Sequence, residues 1–194
     1  MDLEIKRQII HASGILTILI IQIFGRFNAA LIALGITLFF LTVGMYRRYR
    51  KNIKFKPKVV DEIEDMLEDG VKTLERPKEM PFKGAMMFYL GSFIVISLFD
   101  PLISMPSIAV LAMADSLSTI IGKYFGKHKL HVNRKKSYEG SLTFLIIAIA
   151  VLYFFTNPAK AFFVAYIAML VEMIPKLDDN LTVPISVALL MFFA

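Results

Sequence analysis

Residues 29–46 read AALIALGITLFFLTVGMY, an apolar run without a charged side chain, and residues 47–51, which follow directly, read RRYRK. A run of this length approaches the ~20 residues that an α-helix needs to cross the ~30 Å hydrocarbon core of a bilayer. Lys and Arg at the end of a spanning helix favour the cytoplasmic side. The two stretches therefore predict a membrane-spanning helix that ends at a cytoplasmic loop.

Further apolar blocks divide the rest of the 194-residue chain. They are Ile9–Gly25, Gly84–Phe99, Leu102–Ile121, Leu142–Phe155, Ala161–Ile174 and Leu181–Ala194. The last three blocks are only about 14 residues long, a length that a buried helix of a soluble bundle also uses. We predict an all-α fold in which residues 1–194 form a single integral membrane domain of about seven short transmembrane helices.

The basic residues are distributed unevenly between these blocks. If the N-terminus lies in the cytoplasm, 20 of the 22 Lys and Arg residues are cytoplasmic, with eleven in loop 47–83 and six in loop 123–140. The opposite orientation would carry both basic loops across the membrane. We therefore expect a multi-pass protein whose N-terminus and active site are cytoplasmic.

The basic loops also limit the partners of the chain. A basic face can simply hold anionic lipid headgroups. A nucleic-acid partner is not expected, because neither a recognition helix nor a platform of interleaved aromatic residues accompanies the basic cluster.

Residues 59–76 differ in character from the rest of loop 47–83. Apolar residues recur there at helical spacing while acidic residues fill the other face. The apolar positions are Ile63, Met66, Leu67, Val71 and Leu74. The pattern predicts a cytoplasmic amphipathic helix whose acids form a solvated face.

Ionisable residues within the apolar blocks are costly in a membrane, so each is a candidate for function. Asp115, Glu172 and His11 all fall near the cytoplasmic ends of their predicted helices. Asp115 begins a stripe at helical spacing that continues through Ser118, Thr119, Gly122 and Gly126. The stripe fits either a ligand site beside the acid or tight helix packing through small residues. His11 also fits a histidine that is satisfied at a helix interface.

Two polar segments lie on the same predicted side as Asp115. Residues 133–141 read NRKKSYEGS, which combines cations that can clamp phosphoryl oxygens with an acid that can bind Mg²⁺. Ser137 is placed to cap the helix that follows, whose N-terminus would favour an anion. Residues 178–184 read DDNLTVP, which supplies ligands for a hard cation but equally fits a capped turn. Ordinary positive-inside charge with a capping serine remains the alternative for the first segment.

Together these residues resemble the family of CTP-dependent lipid kinases that includes dolichol kinase, phytol kinase and the CTP-using diacylglycerol kinase. The resemblance begins at residues 4–11 (EIKRQIIH), continues through Arg76, Glu79 and Gly84-Ala85, and is strongest from Asp115 to Ser141. It ends at Glu172 and residues 178–184. The resemblance implies a kinase that moves the γ-phosphate of CTP to a membrane alcohol of the polyprenol, phytol or diacylglycerol type, with Mg²⁺ as cofactor.

The resemblance also implies roles for individual residues. The residues expected to bind CTP are Gly122, Lys123, Lys135, Lys136, Ser137, Glu139, Gly140 and Ser141. The residues expected to bind Mg²⁺ are Asp115, Glu139, Glu172, Asp178 and Asp179, where Glu172 is either a further ligand or a residue that orients a lysine. A general base is optional in a loose transition state, and Asp115 and His11 are the candidates for it. The alcohol is expected to enter sideways from the lipid bilayer, and a homodimer is left open.

Other functions are weighed against this one. The stretch around residues 126–141 also resembles phosphatidate cytidylyltransferases, but the C-terminal signature of those enzymes, paired glycines before Asp-Arg-hydrophobic-Asp, is missing. Prenyl-phosphate kinases share an aspartate before a glycine-bearing helix. A small transporter would also place acids in the membrane, and it would carry a repeat around a midplane site, which the sequence does not display.

Overall fold

The described part of the chain is mostly helical and includes no strand, as the apolar blocks predict. The computed structural model describes residues 2–49, 80–175 and 178–194. Its helices are α1 (Leu3–Ala12), α2 (Leu16–Tyr49), α3 (Lys83–Leu98), α4 (Pro101–Val110), α5 (Ser116–Tyr124), α6 (Tyr138–Tyr153), α7 (Pro158–Glu172) and α8 (Asp179–Phe193). A 3₁₀ turn at Ser13–Ile15 joins α1 to α2, and a π-helical turn at Leu111–Asp115 joins α4 to α5.

Two helical stretches are long and apolar enough to cross a membrane, Leu3–Tyr49 and Pro101–Tyr124. Helices α3, α6 and α8 are apolar but shorter. The described residues form six continuous helical stretches, so the predicted count of seven short spanning helices is not confirmed. The predicted amphipathic helix at residues 59–76, with most of loop 47–83, lies outside the described residues.

The first two predicted spans lie within one helical stretch that is interrupted at Gly25. Gly25 has φ 77° and ψ 165°, a backbone conformation that is accessible essentially only to glycine. The interruption falls where the sequence separates Ile9–Gly25 from Ala29–Tyr46. The boundary between these blocks is therefore real, although it is a kink rather than a loop.

The continuous stretch from α4 to α5 lies at the centre of the fold. It contacts α2, α3, α6 and α8, and its residues Ile108, Val110 and Leu111 are fully buried. Large apolar side chains on the periphery are exposed, among them Phe27 (75%) and Phe154 (84%). A buried central helix that carries Asp115 at its π-helical turn sets the position of the site.

Candidate active site

The predicted site residues converge on one cavity of about 890 Å³. Its walls come from α1, α2, α3, α5, the loop before α6, the end of α7 and the start of α8. The predicted residues that line it are His11, Asp115, Gly122, Lys123, Lys135, Lys136, Ser137, Gly140, Ser141, Glu172, Asp178 and Asp179. Residues that are far apart in the sequence therefore line the same cavity.

Three carboxylates from three different elements form a cluster in this cavity. Asp115 ends the π-helical turn, Glu172 ends α7 and Asp179 begins α8. One oxygen from each side chain lies within 4.8 Å of the others. Buried like charges at this separation repel one another unless a cation compensates them. We call these three residues the acid cluster.

Lys136 supplies a compensating charge from the loop before α6. Its Nζ lies 2.6 Å from Oε1 of Glu172 and 2.6 Å from Oδ2 of Asp179, and it donates to the Glu172 backbone carbonyl. Burial alone would lower the pKa of Lys136, but Glu172, Asp179 and Asp115 outweigh burial and raise it. Lys136 is therefore held in its charged form.

The acid cluster keeps acceptor capacity that Lys136 does not use. Oε2 of Glu172 and Oδ1 of Asp179 are buried and have no hydrogen-bond partner in the described part of the chain. Glu172 is only 3% exposed. Burial raises the pKa of the Asp179 carboxyl above its ordinary value, although the nearby Lys136 partly opposes this rise. These two oxygens therefore keep acceptor capacity that no described residue fills.

The loop before α6 is folded so that Lys136 points inward. Leu130 is buried, and its backbone N–H donates to the Lys136 carbonyl over 3.1 Å. The Lys136 N–H donates to the Asn133 carbonyl over 2.9 Å, while the Asn133 side chain donates to the Met173 carbonyl over 3.4 Å. Asn133 thereby ties the loop to the end of α7, next to Glu172.

The glycines of the predicted stripe bring helices together as well as opening the cavity. Asp115, Ser118, Thr119 and Gly122 all line the cavity. A Cβ at Gly122 would lie 3.5 Å from the Cα of Gly140, so α5 and α6 approach closely there. The stripe therefore packs helices together and also borders the cavity, and its role as a ligand site remains a prediction.

Ser137 caps α6, as its position in the sequence predicts. Its hydroxyl accepts a hydrogen bond from the Gly140 N–H over 3.2 Å. That N–H is therefore occupied by the cap.

Helix α1 brings His11 to the acid cluster. Nε2 of His11 lies 3.5 Å from Oδ2 of Asp115, and its ring meets the Phe88 ring edge-on at 5.2 Å. Gly14 permits this arrangement, because a Cβ there would lie 2.3 Å from the Phe88 ring. The two candidates for the general base are therefore neighbours.

The other end of α1 is held by Lys123. Asp2 caps α1, and its Oδ2 lies 2.7 Å from Nζ of Lys123 and accepts from the Tyr124 hydroxyl. The Lys123 and Tyr124 side chains lower the pKa of Asp2. Lys123 therefore faces the cavity while paired to the first turn of α1.

Glu139 is the predicted site residue that does not line the cavity. Its carboxylate accepts from the backbone N–H groups of Lys127 and His128 and lies 2.7 Å from Nδ1 of His128. Its own backbone N–H and the His128 side chain lower the pKa of Glu139 to about 2. Its predicted binding of Mg²⁺ and nucleotide remains a prediction, while its observed contacts stabilise the loop.

Lys83 is a cavity residue that the sequence reasoning missed. It begins α3, and its Nζ lies 3.0 Å from Oδ2 of Asp178. A cation in the first turn of a helix opposes the helix dipole, and that unfavourable placement is the signal that could have identified it. Arg7 and Lys129 also line the cavity and were not predicted.

The chain is similar in sequence to plant proteins that are named phytol kinase. It is 28% identical to phytol kinase 1, chloroplastic, of Arabidopsis thaliana over 96% of this chain and 65% of that protein. It is 31% identical to probable phytol kinase 1, chloroplastic, of Glycine max over 45% of this chain and 35% of that protein. The chain thus spans less than two thirds of the length of these plant proteins.

A bacterial relative is similar over nearly its whole length. The chain is 26% identical to an uncharacterized protein of Rickettsia prowazekii (strain Madrid E), over 97% of this chain and 93% of that protein. No family model and no solved structure matches the chain. The plant relatives confirm the resemblance carried by the motifs: the chain is related to the polyprenol and lipid kinase family that includes the phytol kinases.

Proposed function

We propose that this chain is a membrane-embedded kinase that transfers the γ-phosphate of CTP to the hydroxyl of a lipid alcohol, with Mg²⁺ as cofactor. The alcohol is an isoprenoid of the dolichol or phytol type, with diacylglycerol as the alternative. One observation carries the proposal: a buried acid cluster and several lysines face each other in one cavity. Phosphoryl transfer depends on alignment and charge neutralisation, which this combination can supply.

The acid cluster fits a Mg²⁺ ion by its chemistry. Asp115, Glu172 and Asp179 offer carboxylate oxygens, the ligand type that Mg²⁺ prefers. The buried oxygens of Glu172 and Asp179 that lack partners are the observation in favour of a cation. When bound there, Mg²⁺ would neutralise charge on the phosphoryl oxygens. Asp178 lies beside this group but is paired with Lys83.

The lysines around the acid cluster are suited to a triphosphate. Lys123, Lys135 and Lys136 are the predicted contacts, and Lys83 and Lys129 add two cations to the same wall. Lys129 and Lys135 form no ion pair within the described ranges, so their charge is available. A lysine binds phosphate as a mobile point charge. CTP as donor, in preference to ATP, rests on the family resemblance.

The alcohol oxygen attacks the γ-phosphorus as the bond from that phosphorus to the β,γ-bridging oxygen breaks, and CDP leaves. The hydroxyl proton passes to the pair formed by His11 and Asp115, with the His11 ring as the proposed acceptor. The 3.5 Å separation between Nε2 of His11 and Oδ2 of Asp115 allows Asp115 to stabilise the imidazolium that results. Lys136 keeps Glu172 and Asp179 in position throughout.

The surface of the fold supports a membrane location. Exposed side chains such as Ile23, Phe27, Leu102, Phe154 and Phe193 would be favourable in lipid and costly in water. The stretches Leu3–Tyr49 and Pro101–Tyr124 can span a bilayer by length and composition. The basic loops favour a cytoplasmic N-terminus and a cytoplasmic site, so the nucleotide arrives from water and the alcohol from lipid.

Labelled nucleotides test the proposal directly. Purified protein in lipid vesicles is incubated with phytol, dolichol or diacylglycerol, Mg²⁺ and CTP that carries the label on the γ- or the α-phosphate. Transfer of the γ-label to lipid is the expected result. Transfer of the α-label would identify a cytidylyltransferase, and transfer of neither would refute the kinase and leave the transporter. The same assay with γ-labelled ATP determines the donor.

A further inference from the structure

One side of the cavity is apolar. Ile36 and Phe40 lie one turn apart on α2, and Ala85, Phe88 and Tyr89 share one face of α3. Phe88 is buried, whereas Ile36, Phe40, Ala85 and Tyr89 are only partly covered. We call these five residues the apolar wall. Apolar surface open to a cavity is costly when it faces water and favourable when a hydrophobic ligand covers it.

The apolar wall begins at the acid cluster and leads away from it through a series of ring contacts. The His11 ring, beside Asp115, meets Phe88 at 5.2 Å. Phe88 meets Tyr89 at 5.3 Å, and Tyr89 stacks on Phe40 at 6.4 Å. The wall therefore extends from the proposed proton acceptor toward α2.

A nucleotide would leave much of the apolar wall uncovered. A triphosphate matches the lysines, but it has no extended apolar part to cover Phe40, Tyr89 and Ile36. A molecule with a hydroxyl at one end and a hydrocarbon tail matches both, since the hydroxyl can reach His11 while the tail lies on the wall.

We infer that the apolar wall between α2 and α3 binds the hydrocarbon tail of the acceptor alcohol, with Phe40 and Ile36 selecting for long chains. This inference rests on the proposed function and assigns the tail a position within the same cavity. The contribution of the wall grows with the tail length that it covers. Short alcohols therefore gain little from it.

A second apolar groove is the competing place for a tail. It is lined by Ile15, Ile18, Ala109, Met113, Ile147, Ala150, Val151, Phe154 and Phe155. All of these side chains are apolar, so among the described residues the groove offers nothing to orient a hydroxyl. The apolar wall, in contrast, shares its cavity with Asp115 and His11.

Chain-length selectivity of matched variants tests the inference. Phe40→Ala removes a ring from the wall, and Phe39→Ala, its neighbour, removes a 51% exposed ring that does not line the cavity. We expect Phe40→Ala to lower kcat/KM for phytol roughly tenfold and to leave a short soluble prenol within about twofold. Phe39→Ala should leave both values close to those of the unmodified protein. Equal chain-length dependence in the two variants would overturn the inference.

A filling substitution gives an independent comparison. Ile36→Phe should narrow the wall and disfavour long alcohols more than short ones, whereas Ile32→Phe, one turn earlier and outside the cavity lining, should not. This pair keeps the test decisive if Phe40→Ala fails to fold. An unchanged preference for phytol in Ile36→Phe would argue against the wall.

A binding measurement separates this inference from the proposed function. A long-chain prenol with a photoreactive group at its tail end is crosslinked to the protein in vesicles without nucleotide, and labelled peptides are mapped. Labelling of residues 36–40 and 85–89 is expected, even if γ-phosphate transfer is never detected. Labelling confined to the groove at Ile15 and Phe154 would overturn the inference while leaving the kinase proposal intact.

Discussion

Nζ of Lys136 lies 2.6 Å from Oε1 of Glu172, a side chain that is only 3% exposed. The two residues are 36 positions apart, and they meet because Asn133 ties the loop before α6 to the end of α7. A buried ion pair has weak net value for stability, but breaking it is expensive because one charge is left uncompensated. Lys136 therefore stabilises the fold, and in the proposed function it also takes part in phosphoryl transfer.

Lys136→Ala should therefore affect stability and transfer together. We expect the free energy of unfolding to fall by about 3–5 kcal/mol, because Glu172 loses its buried counter-charge. Thermal unfolding in detergent and transfer of γ-label measure the two effects.

The double variant Lys136→Met with Glu172→Gln separates stability from chemistry. Replacing both charges by neutral groups of similar size should recover part of the lost stability, since Asp179 still lacks its partner Lys136, without recovering transfer. Recovery of transfer along with stability would mean that Lys136 serves only the fold.

Asp115→Asn tests the acid cluster without a change of shape. The amide keeps the volume of the carboxylate but lowers its affinity for a hard cation, so transfer should fall at least about 100-fold at low Mg²⁺ and recover partly at high Mg²⁺. Asp100→Asn is the matched control, since Asp100 pairs with Arg26 and lies outside the cavity lining. A similar loss in both variants would remove the acid cluster from the reaction.

Local patterns account for what the sequence could predict. The stripe from Asp115 to Gly122, the cap at Ser137 and the acids of residues 178–179 are readable because helix periodicity and capping act over a few residues. The pairing of Lys83 with Asp178 depends on how α3 packs against α8, and no local pattern encodes it. Glu139 shows the opposite case. Its sequence neighbours suggested a ligand, whereas its carboxylate accepts hydrogen bonds from the backbone N–H groups of Lys127 and His128.

The kink at Gly25 likewise could not be predicted from the sequence. The sequence separates the blocks Ile9–Gly25 and Ala29–Tyr46, whereas the helix continues on both sides of one residue with positive φ. The boundary between two apolar blocks can be recognised from composition, but its geometry depends on the packing of the flanking helices.

Gly126→Ala should destabilise the contact between α5 and the loop before α6. A Cβ at this position would lie 2.2 Å from the Gly122 carbonyl oxygen and 2.4 Å from Oγ of Ser137, so backbone must move. We expect a loss of about 1–3 kcal/mol in the free energy of unfolding. Gly35→Ala is the control: among the described residues, no atom outside its own stretch of helix lies within 4 Å of an added Cβ, and removing a helical glycine should stabilise by roughly 0.5–1 kcal/mol. Equal melting temperatures for the two variants would contradict the close approach of Gly126 to Gly122 and Ser137.

Glu139 should make the stability of the loop depend on acidity. Its pKa in the folded protein is about 2, below its ordinary value of 4.5, so the unfolded chain binds this proton more readily. The stability that its contacts supply is therefore fully present above the unfolded pKa and is lost as the pH falls toward 2. Glu139→Gln should remove this acid-dependent component, seen as a smaller drop in melting temperature between neutral and acidic pH.

A pair of histidine variants identifies the partner of Glu139. His128→Gln should reduce the same component because Nδ1 of His128 lies 2.7 Å from the carboxylate, whereas His131→Gln, an exposed histidine of the same loop, should leave it unchanged. The sequence analysis predicted that Glu139 is a Mg²⁺ ligand, and this gives a different expectation. If Glu139 binds Mg²⁺, Glu139→Gln should change the Mg²⁺ dependence of transfer. A shift of that kind, with acid stability unaltered, would return Glu139 to the metal site and contradict its assignment to the loop.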